Sequence, residues 1–92
     1  MNNVLYVQLM EKLKPLDEDV IERHTTHLKR LDEAGKLVLC GPFTDYPGGI
    51  VVMCASSYPE AEDLVRSDPF IAEGYETYSL RTLEVADASN GY

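Results

Sequence analysis

The chain has 92 residues, 16 acids against 8 bases and a net charge of −8. That fits one domain and argues against nucleic acid or an anionic membrane surface as a partner, since both demand clustered Lys and Arg. Two cysteines make no disulfide framework, no apolar run approaches the roughly 20 residues that span a bilayer, and the start Met1-Asn2-Asn3-Val4 lacks the basic segment and apolar core of a secretory leader, so the expected compartment is a reducing cytoplasm.

Val4 to Met10 is β-branched and aromatic with no breaker, and predicts a first strand. Glu11 to Leu16 is charged and holds Pro15, a connection. Asp17 is an N-cap, with Glu18 and Asp19 placing negative charge on the first helical turn. From there Val20, Ile21, His24, Leu28, Leu31 and Gly35 fall on one side of a 3.6-residue helix. Gly35 is the natural residue to close it.

Lys36 to Phe43 predicts a second strand and Ile50 to Ala55 a third, joined through the Pro- and Gly-bearing turn Asp45 to Gly49 as a hairpin. Ser57-Tyr58-Pro59-Glu60 is a helix start, with Ser as the cap, Pro in the first turn and Glu at the capping-box position. Pro69 pushes Asp68 out of helical geometry, so that helix ends near Ser67. Asp68 then caps a short extra turn through Glu73, closed by Gly74, and Tyr75 to Val85 predicts a fourth strand. The domain is expected over residues 1–85. The small polar stretch 86–92 is expected to be a flexible tail.

The order β-α-β-β-α-β predicts a ferredoxin-like α+β sandwich with a four-stranded antiparallel sheet. Strands two and three are apolar on both faces, whereas a sheet wetted on one face alternates apolar with polar. Two helices cover only one side of such a sheet. The expected cover for the other is a second copy, sheet against sheet, as a two-fold homodimer.

The two histidines, His24 and His27, sit on or beside the apolar stripe of the first helix. A His-x-x-His pair needs further ligands to hold a metal, and none stands at a suitable offset nearby. Cys40 and Cys54 read as small apolar core residues. His24, in the middle of the stripe, reads as a packed core residue. His27, at its edge, reads as the imidazole free to move a proton near neutral pH. Asp68, in the turn after the second helix, is the carboxylate expected to orient it. The plainer reading of the same residues is a helix cap for Asp68 and a structural hydrogen bond for His27.

His27-Leu28-x-x-Leu31-x-x-x-Gly35-Lys36-Leu37, then Gly41-Pro42-Phe43, then Gly48-Gly49, then Ser67-Asp68-Pro69-Phe70 with Gly74 after it resembles the YCII-related (YciI-like) proteins from Val4 to about Val85. The resemblance implies a dimeric α+β barrel, similar in fold to muconolactone isomerase and to cofactor-free monooxygenases. It implies a paired His and Asp as the active site, matched to His27 and Asp68, and does not carry His24 over as catalytic. It also implies lyase-type chemistry on chlorinated or hydroxylated aromatic breakdown products in some members.

Gly41 and Pro42 would let the backbone approach a ligand, with Phe43 and Phe70 as apolar walls. The expected function is acid–base proton transfer on a small cyclic or aromatic-derived molecule, of lyase or isomerase type, with no metal or other cofactor. The alternatives are a non-catalytic dimeric ligand binder or accessory subunit, and a monooxygenase that uses its substrate as reductant.

Overall fold

A computed structural model of the chain describes residues 3–92; the leader reading at Met1 and Asn2 lies outside the described residues. Strand β1 is Val4–Lys12, helix α1 Glu18–Glu33, β2 Leu37–Pro42, β3 Gly48–Met53, α2 Tyr58–Arg66, α3 Pro69–Ala72 and β4 Glu76–Glu84. The four strands form one antiparallel sheet in the order β2-β3-β1-β4. This is the expected ferredoxin-like α+β architecture. No described helix is long and apolar enough to cross a membrane.

Local chemistry sets the element ends. The Asp17 carboxylate accepts from the Val20 N–H at 2.8 Å, satisfying one of the donors that every helix start leaves free. Gly35, at φ +73°, lets the chain turn out of α1. Ser57 caps α2 by accepting from the Glu60 N–H at 3.2 Å. Tail residues Ala88–Asn90 form a single 3-10 turn capped by Asp87.

The hairpin departs from expectation at its turn, because Gly48 and Gly49 belong to β3. A Cβ on Gly48 would run into the Met10 carbonyl, and one on Gly49 would sit 2.7 Å from the Gly41 carbonyl oxygen. Both positions are where backbones of neighbouring strands close on each other, so glycine here serves pairing rather than the turn.

The core lies between the helices and one sheet face. Tyr6 and Met10 of β1, Val51 and Met53 of β3 and Leu80 of β4 meet Val20, Leu31, Ala61, Val65 and Phe70 from the helices. Each fully buried side chain of the Val or Leu class contributes about 1.5–3 kcal/mol. The cysteine expectation is overturned: Cys40 and Cys54 are both exposed free thiols. Cys40 lies opposite Val51 on edge strand β2, and Cys54 follows the end of β3, so neither reaches the packed centre.

The other sheet face has no cover among the described residues. Period-two alternation puts Leu5, Val7 and Leu9 of β1 there, with register partners Leu83, Val52 and Ile50, and Leu39 joins through its pairing with Val52. Leu9, Leu39 and Leu83 are 40%, 53% and 47% exposed.

Candidate functional site

Asp68 is the centre of the site. It ends α2 and caps α3, with an extended backbone at φ −67°, ψ 122°, as the following proline requires. Its side chain is fully buried. Oδ1 accepts from the Phe70 N–H at 3.0 Å and lies 2.8 Å from His24 Nδ1. Oδ2 accepts from the Gln8 amide at 3.3 Å. A carboxylate only accepts, so the Nδ1 of His24 carries the hydrogen and Nε2 is left as the free ring nitrogen.

His24 is held on two sides. Phe70 stacks on its ring, with centroids 3.7 Å apart and planes 10° from parallel. Asp68 fixes one nitrogen. Beside it, Arg23 pairs with both carboxylate oxygens of Glu73 and with Asp19, clamping α1 to the end of α3. The imidazole is 12% exposed, and that opening faces a cavity of about 480 Å³. The walls are mainly apolar, from Met10, Leu16, Ile21, Leu28 and Phe70, while Gly41, Pro42, Gly48 and Gly49 bring backbone to the edge. Its ionisable wall residues besides His24 and Cys40 are Lys12 and Glu76.

The pairing expected between His27 and Asp68 is made by His24 instead. Three helical residues turn through about 300°, so His27 stands about 60° round α1 from His24. It lines a separate shallow depression with Arg23, Thr26, Arg30, Ser67 and Pro69. The middle of the apolar stripe, which reads as core, is where the helix faces both the cavity and the Asp68 turn. Of the other expected site residues, Gly41, Pro42 and Phe70 line the cavity, while Phe43 is 36% exposed and lies outside its lining.

His27 carries a different signature. Its Nε2 is buried with no hydrogen-bond partner. Burial holds its pKa below the usual imidazole value; the nearby Asp68 pulls upward, and His24 and Arg30 add to the lowering. A histidine kept neutral by the fold binds its proton more readily when unfolded. Its contribution to stability is therefore complete above about pH 6.5 and is lost as pH falls from there toward the folded pKa. Thermal melts between pH 7.5 and 5 should show a decline that shrinks in His27→Gln; equal slopes in both proteins would contradict this.

Two polar residues of the site escape a reading by motif. Gln8 is fully buried in the middle of β1, with its Oε1 unpartnered, and Glu76 is buried on β4. Their signal is positional: each stands at a core-facing position of its strand, Gln8 between Tyr6 and Met10, Glu76 before Tyr78 and Leu80.

Residues 1–84 match the YCII-related domain family. The uncharacterized protein YjpA of Bacillus subtilis is 29% identical over 76 residues, covering 83% of this chain and 89% of that protein. Among solved structures, muconolactone isomerase superposes with a TM-score of 0.74 at 15% identity, over 96% of this chain and 95% of the other. The 5-chloro-2-hydroxyhydroquinone dehydrochlorinase TftG from Burkholderia phenoliruptrix, in complex with 2,5-dihydroxybenzoquinone, gives 0.64 at 20% identity, over 92% and 96%. A variant of MhuD holding two manganese protoporphyrin IX molecules per active site gives 0.51 at 16% identity, over 90% and 94%. At these identities the structural likenesses establish the α+β barrel fold.

Proposed function

The chain belongs to the YCII-related domain family, and from that premise we propose that it is a small-molecule enzyme in which the His24–Asp68 pair moves protons on a substrate held in the apolar cavity. The observation that carries this reading is the 2.8 Å contact between His24 Nδ1 and a fully buried carboxylate, at the wall of a cavity sized for a small ring. Asp68 holds the imidazole in one tautomer and stabilises the imidazolium that forms when Nε2 takes a proton. Phe70 keeps the ring from rotating. Nε2 then removes a proton from the substrate, and either a leaving group departs or the proton returns at another atom. Those outcomes are a lyase and an isomerase.

The dehydrochlorinase and isomerase among the structural neighbours favour cyclic or aromatic-derived substrates. No step in this chemistry calls on a cofactor. A second copy of the chain covers the open sheet face in this reading, since soluble proteins rarely leave a contiguous apolar face of that extent to water.

The test is turnover of 5-chloro-2-hydroxyhydroquinone and of small unsaturated lactones by the wild type and by His24→Gln. Removing the base should lower kcat by about 10²–10⁴-fold, while His27→Ala keeps most of the activity. Equal rates in wild type and His24→Gln would end the proposal. Binding of 2,5-dihydroxybenzoquinone with no turnover of any compound would leave a ligand-binding protein. Activity that vanishes without oxygen would point to a monooxygenase.

A further inference from the structure

Glu76 is a carboxyl in the same cavity that the His24–Asp68 pair does not use. It begins β4, is 5% exposed, and has a buried Oε1 with no hydrogen-bond partner. Lys12 lies directly across from it in the β1–β4 register, yet that oxygen is left unpaired. A buried polar atom without a partner costs about 1–3 kcal/mol, and Val or Leu at this core-facing position would avoid that cost. Glu76 thus puts into the cavity wall a carboxyl with one buried, unsatisfied oxygen, a side chain whose polar capacity the protein's own groups do not use up.

The groups around it set its protonation. Burial raises its pKa and Asp68, from the start of α3, adds to the rise, whereas His24 from α1 and Lys12 from β1 act against it. The cavity thus has an imidazole in its helix-side wall and a carboxyl in its sheet-side wall, with the carboxyl pKa raised by burial. An imidazole and a carboxyl in the wall of one cavity are the residue types that a base and an acid working together require.

We propose that Glu76 is the second acid–base group of the cavity, giving its proton to a carbonyl oxygen of the bound molecule while His24 takes one from the adjacent carbon, and that the substrate class is therefore an enolisable cyclic carbonyl compound. The inference rests on the His24 reading above. In the step, the C–H electron pair becomes the new C=C bond, the C=O π pair moves to oxygen, and that oxygen binds the Glu76 proton. The product is the enol, with His24 as imidazolium and Glu76 as carboxylate. Reversal at the same or another carbon restores both groups, so no oxidant or reductant is consumed.

The experiment is hydrogen–deuterium exchange at the α-carbons of cyclohexane-1,4-dione and 2-tetralone in D2O, followed by proton NMR. The wild type should catalyse exchange, and His24→Gln should abolish it. Glu76→Leu and Glu76→Gln should each slow it by about tenfold or more. The glutamine variant preserves shape and decides the matter if the leucine variant folds poorly. In carboxyl-13C-labelled protein, the Glu76 signal should titrate above the ordinary glutamate range and shift saturably with cyclohexane-1,4-dione. Wild-type exchange rates in the folded Glu76 variants, or a Glu76 titration at or below the ordinary range, would overturn the inference and leave the His24 reading standing. No exchange by the wild type with either ketone would overturn this inference, while turnover in the hydroquinone and lactone assay would keep the His24 reading apart from that failure.

Discussion

Replacing Asp68 with alanine should destabilise the fold by about 3 kcal/mol, the largest loss expected from any single side chain of the site. Three partners lose their acceptor at once. The Phe70 N–H at the start of α3 loses its cap, typically about 1 kcal/mol. The buried Gln8 amide and the His24 Nδ1 hydrogen are stranded, and a buried donor without a partner costs about 1–3 kcal/mol. At about 4–8 °C per kcal/mol for a domain of this size, the melting temperature should fall by about 12–24 °C.

Asp68→Asn is the informative control. Its amide oxygen can still accept from the Phe70 N–H. Its amide nitrogen would face the Gln8 donor, but a flip of Gln8 presents Oε1, which has no partner in the native arrangement. The asparagine variant should therefore melt clearly above the alanine one while losing the carboxylate that orients His24. Melts that place both variants within about 4 °C of wild type would show that the hydrogen bonds around Asp68 contribute little.

The architecture was legible because its signals are local. Asp17 and Ser57 cap helices where a cap residue precedes an acidic or Pro-bearing turn. Pro69 ends α2 by sterics alone. The hairpin ends blurred because Gly48 and Gly49 suit a turn and a close strand contact equally well, and only the distance to the Met10 and Gly41 carbonyls distinguishes the two.

The site was half legible. Asp68 was visible as an extended residue before proline at a helix junction, but its partner was not. Stripe geometry says that His24 points inward; it does not say that inward, at this height on α1, there is a carboxylate and a cavity rather than dry packing. That depends on where α3 docks, which Phe70 and the Arg23–Glu73 pair decide across about 50 residues of sequence. Gln8 and Glu76 hid for a related reason: within a strand, one polar residue among apolar ones reads as a surface position until the register is known.

Charge placed on the open sheet face should have the second large effect. Leu9 lies on the central strand β1 and Leu39 on the edge strand β2, both on the face away from the helices and both exposed in the single chain. In the proposed two-fold dimer each substitution is counted twice, because the same patch would meet its own copy. Leu9→Glu, or Leu39→Glu, would bring two carboxylates into one apolar contact that gives neither a partner, and an unpaired buried charge costs several kcal/mol. The dimer dissociation constant should rise by about 100-fold or more, read by sedimentation or light scattering at micromolar concentration. Neither site touches the helix-side core, so each variant should keep the circular dichroism of a folded sheet. A wild type that stays monomeric at such concentrations would remove the second copy from this account. A wild-type dimer unmoved by either substitution would place the interface elsewhere and leave Leu9, Leu39 and Leu83 facing water without a reason.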